Sequence, residues 1–150
     1  MSTLTILFVC TGNTCRSPMA EGLAQNWLEN GGHKHWQAVS AGTFAMECAP
    51  PSRETLHALS QREIKISGTS TPLTGDMIDS AHIVLCMTQS HMDMANQLAK
   101  DDTTIELLDP DGPIPDPAGH DQLVYDALAD KMEHLIAQRL ETIIQKAGNP

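Results

Sequence analysis

The sequence predicts an α/β fold, a single-domain doubly wound sheet of four parallel strands flanked by helices. Short runs rich in apolar and β-branched residues occur four times along the 150 residues, and segments with helical spacing separate them. Strands that alternate with helices usually pack as a mainly parallel sheet. No repeat, low-complexity tract or linker divides the chain, so residues 1–150 are expected to form one domain of ordinary size.

The four predicted strands are short. The first covers residues 3–9 and carries neither a charge nor an alternating pattern, which is typical of a strand buried on both faces. The others cover residues 36–41, 82–87 and 104–108. Four such strands joined by helices are enough for one parallel sheet with a core on each face.

A helical segment follows each strand. Ser17 and Pro18 predict the start of the first helix, with the serine as cap and the proline in the first turn, and Gly31 predicts its end. Later helices are predicted to end near residue 60 and to cover residues 74–79, 89–98 and 122–146. Four prolines and two glycines in residues 108–121 predict a long loop before the last helix.

Composition limits the classes of partner. The formal net charge is −10, which opposes binding to nucleic acid or to an anionic membrane surface. No run approaches the roughly 20 apolar residues that span a bilayer, and no basic segment precedes the first apolar run as in a signal peptide. We therefore expect a cytoplasmic protein whose cysteines are thiols rather than a disulfide framework. These are Cys10, Cys15, Cys48 and Cys86.

The segment after the first strand carries the chemistry. It reads C-T-G-N-T-C-R-S from Cys10 to Ser17 and joins a predicted strand to a predicted helix. Ligands of doubly wound sheets bind beyond the carboxyl ends of the strands. Backbone N–H groups and the positive end of the helix dipole meet there, so Thr11, Gly12, Asn13 and their neighbours are expected to form a phosphate-binding loop.

Cys10 and Arg16 suit nucleophilic attack on a phosphoryl group. The thiolate is the reactive form of cysteine, and both a helix N-terminus and a neighbouring arginine favour it. The planar guanidinium of Arg16 can bind two phosphoryl oxygens at once. Asp116, in the proline-rich loop, is the candidate general acid that protonates the leaving group and later activates water. Asp109 and Asp111 in the same loop are its rivals.

These motifs resemble the low-molecular-weight protein-tyrosine-phosphatase family. The family has C-x5-R-S within its first twenty residues and a late Asp-Pro, which match Cys10, Arg16, Ser17 and Asp116 here. Residues 39–43, 72–74 and 84–88 also resemble family landmarks, so the likeness covers essentially the whole chain. The resemblance implies a protein phosphatase with a phosphocysteine intermediate, a phosphorylated protein as substrate, and inorganic phosphate or similar oxyanions as inhibitors.

The same resemblance implies roles for further residues. Asn13, Ser17 and Ser40 match positions whose side chains support the phosphate-binding loop in its strained shape. Cys15 matches a vicinal cysteine that can form a reversible disulfide with the nucleophile and protect it from over-oxidation. No organic cofactor and no metal is implied.

The substrate stays open between phosphotyrosine and phosphoarginine. The family usually has an aromatic residue after Asp-Pro, where this chain has Ala118 and Gly119, and the stretch before residues 72–74 lacks the histidine of many members. Thr14 replaces a branched aliphatic residue and is similar to the bacterial protein-arginine-phosphatase branch. Phe44 and Met46 are candidates, with Thr14, for the walls of the substrate slot.

Two other classes are weighed against this hypothesis. An arsenate reductase-like thiol enzyme would need redox cysteines just after the third strand, whereas Cys86 lies inside that strand and no second cysteine follows. A non-catalytic phosphate-binding or phosphocarrier module with a phosphocysteine would lack a residue like Arg16. The phosphatase is therefore the favoured hypothesis.

Overall fold

A computed structural model describes residues 3–148, and within them it has four strands and five helices. The strands are β1 Leu4–Cys10, β2 Trp36–Gly42, β3 Ile83–Cys86 and β4 Thr104–Leu107. The helices are α1 Arg16–Asn30, α2 Arg53–Ser60, α3 Gly75–Ser80, α4 Gln89–Leu98 and α5 Gln122–Ala147. No helix in the described part of the chain is both long and apolar enough to cross a membrane.

The four strands form one sheet in the order β2-β1-β3-β4, and every pair of neighbours is parallel. The predicted parallel sheet is therefore confirmed. Because all strands run the same way, their carboxyl ends meet along one edge of the sheet. Cys10 ends the central strand β1 at that edge, paired with Gly42 of β2.

The absence of alternation in β1 follows from burial on both faces. Ile6 and Phe8 belong to the core beneath α1 and α5, while Leu7 and Val9 belong to the core beneath α3 and α4. All four side chains are completely buried. Apolar residues are thus required at these four consecutive positions of β1, which makes this strand the anchor for the residues that follow it.

The start of α1 differs from the prediction. The helix begins at Arg16, Cys15 occupies the capping position without a side-chain hydrogen bond, and Ser17 lies inside the first turn. The expectation that Ser17 caps the helix was wrong. Its hydroxyl is instead used by Cys10 and Asn13, which lie within hydrogen-bond distance of it.

The long loop between β4 and α5 is fixed at its centre. The backbone N–H of Ile114 donates to the carbonyl of Met87 at 2.8 Å, and the Ile114 side chain is completely buried. Asp121 then caps α5 by accepting from the N–H of Val124. The loop is therefore held at both sides of Asp116, close to the end of β3.

Burial of β1 gives a direct stability test. Leu7→Ala should lower the free energy of unfolding by about 2–5 kcal/mol, because the lost transfer energy adds to the cost of a cavity. Leu123→Ala is the matched control. Its side chain is 76% exposed, so the same substitution should change stability by less than about 0.5 kcal/mol. Urea denaturation of both variants measures the two values, and equal losses would contradict the described core.

Candidate active site

Asn13 holds the loop of residues 11–17, the predicted phosphate-binding loop, in its shape. Its φ of 56° lies in the left-handed region, which asparagine tolerates better than most residues. Its side-chain nitrogen donates to the hydroxyls of Ser17 at 2.7 Å and Ser40 at 2.9 Å, and its side-chain oxygen accepts from the N–H of Thr71 at 2.9 Å. The structure thus brings together the three residues predicted to support the loop.

Glu21 extends this network and was not found from the sequence. The Ser40 hydroxyl donates to its carboxylate at 2.7 Å. Burial raises the pKa of Glu21 above its ordinary value, and the hydrogen bonds from Ser40 partly oppose that shift. In the sequence, Glu21 is an ordinary polar residue of a predicted helix. Its contact with Ser40 is visible only once α1 is packed against β2.

Gly42 lets β2 come close to the loop. A Cβ at this position would lie 2.3 Å from the carbonyl oxygen of Thr11 and 3.0 Å from the N–H nitrogen of Asn13. The neighbouring N–H groups of Thr43 and Phe44 donate to the carbonyls of Cys10 and Thr11 at 2.9 and 3.0 Å. Because these carbonyls are bonded to the two residues that follow β2, the loop is held by backbone hydrogen bonds as well as by the Asn13 side chain.

Cys10 is buried, and its sulfur lies 2.9 Å from the Ser17 hydroxyl. Asn13 donates to the same hydroxyl oxygen, so the hydroxyl hydrogen of Ser17 is free to point at the sulfur. The Ser17 hydroxyl is therefore available as a hydrogen-bond donor to the Cys10 sulfur.

Arg16 joins the phosphate-binding loop to the loop that carries Asp116. Its side chain is 6% exposed, and Nη1 donates to the carbonyl of Ile114 at 2.9 Å. Its Nη2 lies 3.5 Å from the Thr11 hydroxyl and 3.9 Å from the Asp116 carboxylate. Asp116 itself is about half exposed, and its other oxygen accepts from the N–H of Ala118. Asp116 is thus placed beside Arg16 on the side open to solvent.

His91 is a second residue that sequence reasoning missed. It lies in the first turn of α4, only 3% exposed, and its Nε2 is 2.8 Å from the Thr11 hydroxyl. Burial lowers the pKa of His91 to about 4, with a further lowering from Arg16 and an opposing effect of Asp116. The imidazole is therefore neutral near pH 7. The sequence places it 80 residues from Thr11, so only the sheet topology reveals the contact.

Cys15 faces the last helix. Its sulfur lies 3.3 Å from the Tyr125 hydroxyl of α5 and 3.8 Å from the Thr14 hydroxyl. Burial and the contact with Cys15 raise the pKa of Tyr125 to about 12, so its phenol stays protonated and able to donate. Tyr125 is a third residue near the site that the sequence pattern did not single out.

The predicted substrate slot is open. Phe44 is 87% exposed and Met46 is 77% exposed, although the backbone of Phe44 is bonded to the phosphate-binding loop. Thr14 is half-buried on the loop itself. Ala118 and Gly119, after Asp116, are also exposed, so no large side chain from that segment covers the site.

No metal centre competes for these residues. Among residues 3–148, His, Cys, Asp and Glu nowhere form a group of three or more that could hold a metal ion. The arrangement consists of a buried sulfur with a hydroxyl donor, a buried guanidinium and a solvent-facing carboxylate. Chemically, it can bind an oxyanion, attack it with sulfur and move a proton at its open side.

Comparison with known proteins identifies the family. The model of the low molecular weight phosphotyrosine protein phosphatase family matches residues 5–149. A protein-arginine-phosphatase of Geobacillus stearothermophilus is 42% identical over 146 residues, which cover 91% of this chain and 96% of that relative.

Two solved structures are similarly close. The low molecular weight protein tyrosine phosphatase of T. tengcongensis has a TM-score of 0.87 and 35% identity over 93% of this chain and 99% of its own. A mutant of the YwlE arginine phosphatase with a phosphorylated active-site serine has a TM-score of 0.87 and 33% identity, covering 93% of this chain and 95% of its own.

The close approach at Gly42 gives a test of the loop support. Gly42→Ala should abolish measurable phosphate binding and lower stability by about 1–3 kcal/mol, because the new methyl group displaces the Thr11 carbonyl. Gly68→Ala is the control, since a Cβ there meets nothing within 4 Å. Phosphate titration followed by NMR and urea denaturation measure both effects. Unchanged phosphate affinity in Gly42→Ala would contradict the described contact.

His91 predicts a pH dependence of stability. Its pKa is lower in the folded protein, about 4, than in the unfolded chain, about 6.5. The unfolded chain therefore takes up the proton first, and stability should fall as the pH drops from about 6.5 to about 4. His91→Asn should remove this contribution. Urea denaturation of both proteins from pH 4 to pH 7 measures it, and parallel curves would refute the assignment.

Proposed function

The chain belongs to the low molecular weight phosphotyrosine protein phosphatase family of cysteine-dependent hydrolases, and we propose that it removes phosphoryl groups from proteins through a phosphocysteine on Cys10. In this proposal Arg16 binds the phosphoryl oxygens and Asp116 is the general acid and base. Residues 1–150 act as one phosphatase domain. Because the reaction needs a free thiolate, a reducing compartment such as the cytoplasm is the proposed location.

One observation supports these roles above all others. Arg16 contacts both loops of the site, donating to Ile114 at 2.9 Å while its other end lies 3.9 Å from Asp116. The same residue stands six positions after Cys10, in the first turn of α1. A phosphoryl group held by Arg16 would therefore lie between the sulfur of Cys10 and the carboxyl group of Asp116.

The first step forms the phosphocysteine. The Cys10 thiolate attacks phosphorus, the S–P bond forms, and the bond from phosphorus to the leaving atom breaks. Asp116, protonated at this stage, gives its proton to the leaving oxygen or nitrogen. Arg16 and the backbone N–H groups of the loop stabilise the charge on the phosphoryl oxygens in the transition state.

The second step regenerates the enzyme. The Asp116 carboxylate takes a proton from water, whose oxygen bonds to phosphorus as the P–S bond breaks. Inorganic phosphate and the Cys10 thiolate are the products. The hydrogen bond from Ser17 stabilises the sulfur anion as it departs.

We favour phosphoarginine as the natural substrate. Ala118 and Gly119 leave the site without an aromatic wall after Asp116, and the Thr14 hydroxyl offers a polar group where a guanidinium would lie. The relative from Geobacillus stearothermophilus is a protein-arginine-phosphatase. Phosphotyrosine is the second candidate, because Phe44 and Met46 are exposed beside the loop and can supply an apolar wall.

Cys15 is proposed as the partner in a reversible disulfide with Cys10. Two features of this chain support that role. Cys15 lies five residues after Cys10, and it is partly exposed. The Tyr125 hydroxyl lies 3.3 Å from the Cys15 sulfur and can hydrogen-bond to it. Once an external peroxide has oxidised the Cys10 thiol to a sulfenic acid, the Cys15 thiol attacks that sulfur, the S–S bond forms and water leaves.

The function is tested by initial rates of phosphate release from a phosphoarginine peptide and a phosphotyrosine peptide of equal sequence. We expect faster release from phosphoarginine. Cys10→Ser should have no activity, and Asp116→Asn should lose about 10²–10⁴-fold because the leaving group is no longer protonated. Asp111→Asn, in the same loop, is the matched control and should retain the wild-type rate.

Thr14→Ile separates the two substrates. The larger apolar side chain removes the hydroxyl and fills space, so the preference for phosphoarginine should fall. Release from neither peptide by the folded wild-type protein would refute the proposed function. A preference for phosphotyrosine would instead overturn only the choice of substrate.

A further inference from the structure

Thr11 is an exposed residue whose side chain is nevertheless fixed. It follows Cys10 directly, and its carbonyl accepts from the N–H of Phe44 at 3.0 Å. Its hydroxyl lies 2.8 Å from Nε2 of His91 and 3.5 Å from Nη2 of Arg16. An exposed threonine normally needs no partner. Two partners that are themselves buried indicate that the position of this hydroxyl is set by the surrounding structure.

The hydrogen bonds of His91 decide which ring nitrogen carries the proton. The backbone N–H of Thr88 can only donate, and it points at Nδ1 from 3.1 Å. The Thr88 hydroxyl lies 3.0 Å from the same nitrogen. Nδ1 is therefore an acceptor. In the neutral ring the single proton then resides on Nε2, which donates it to Thr11.

The charges around His91 keep it in this state. Arg16 and Asp116 are the charged groups that act on the ring, and burial and Arg16 both oppose a second proton on it. Protonation of Nδ1 would also break the bond from the Thr88 N–H, which belongs to the cap of α4. His91 thus remains a fixed donor toward Thr11 at neutral pH.

The Thr11 hydroxyl consequently has only its hydrogen left for a further hydrogen bond. A hydroxyl has two lone pairs and one hydrogen. The lone pairs face the hydrogens of His91 and Arg16, so the hydroxyl hydrogen points away from both. Because Thr11 is exposed and its hydroxyl contacts Arg16, this hydrogen is accessible to an oxygen of a phosphoryl group that Arg16 would hold.

Resting on the proposed function, we infer that Thr11 and His91 form an additional phosphoryl-binding pair. The Thr11 hydroxyl donates to a phosphoryl oxygen that Arg16 also binds, and His91 is the positioning residue that fixes this hydroxyl. The Thr11 hydroxyl also accepts from Nη2 of Arg16, while the carbonyl of Ile114 accepts from Nη1. Both contacts align the guanidinium before substrate arrives, which reduces the cost of ordering it.

The test is a double-mutant cycle on the affinity for inorganic phosphate, measured by NMR titration of the whole chain. Thr11→Val keeps the shape of the side chain and removes the hydroxyl, and it should weaken phosphate binding about tenfold or more. His91→Asn keeps an acceptor near the Thr88 N–H but cannot reach Thr11. It should weaken binding severalfold in the wild-type chain and not at all when combined with Thr11→Val.

Two controls separate this role from a structural one. Thr11→Ser restores the hydroxyl and should recover most of the lost affinity. Ser90→Ala removes a group that contacts the Thr88 hydroxyl in the same turn of α4, and it should leave phosphate affinity unchanged. If His91→Asn does not fold, as judged by circular dichroism, the comparison of Thr11→Val with Thr11→Ser still decides the role of the hydroxyl.

Two results would overturn the inference. One is wild-type phosphate affinity in Thr11→Val. The other is an equal loss from His91→Asn whether or not Thr11 is replaced, since independent effects mean that the two residues do not act together. Phosphate binding needs no turnover, so the cycle remains decisive even if the protein hydrolyses neither peptide and the proposed function fails.

Discussion

The left-handed backbone of Asn13 is the constraint on which the site depends. A strand and a helix are separated here by only five residues, and in the proposed function the chain between them must turn its N–H groups toward an anion. The N–H groups of Thr43 and Phe44 bond the carbonyls at the start of that turn. The Asn13 side chain fixes its middle by bonding α1, β2 and the segment before α3 at once. Gly42 makes this possible because no side chain separates β2 from the loop.

The second requirement is a positive site in an acidic protein. With a net charge of −10, the surface as a whole repels phosphate, so attraction must be local. Burial of Arg16 reduces its screening by water, and the N-terminus of α1 adds to the same field. The neutral state of His91 fits this arrangement, since a second cation in contact with Thr11 would compete with Arg16 for the same acceptors.

Residues that act at a distance along the chain were beyond the reach of sequence reasoning. Glu21, His91 and Tyr125 sit in helical patterns and carry no motif of their own. Each approaches the loop from a different element, namely α1, α4 and α5. The strand order places β3, which leads into α4, next to β1, and that order depends on which strands pair, a choice that local pattern leaves open. The contact between the Ser17 hydroxyl and Cys10 was also missed from the sequence, which predicted that Ser17 caps the helix.

The sequence alone determined the α/β class, the four parallel strands and the loop from Cys10 to Ser17, because each depends on local periodicity or on residues close together in the chain. The sequence also singled out Asp116 as the candidate general acid, because this residue lies in a proline-rich loop. Tertiary structure decided where that carboxyl group lies relative to Arg16, and which side chains fix the loop. These contacts join residues separated by up to 110 positions. A hydrogen bond depends on the distance and direction between two atoms in space. Sequence patterns indicate only which residues are buried and at what period they recur.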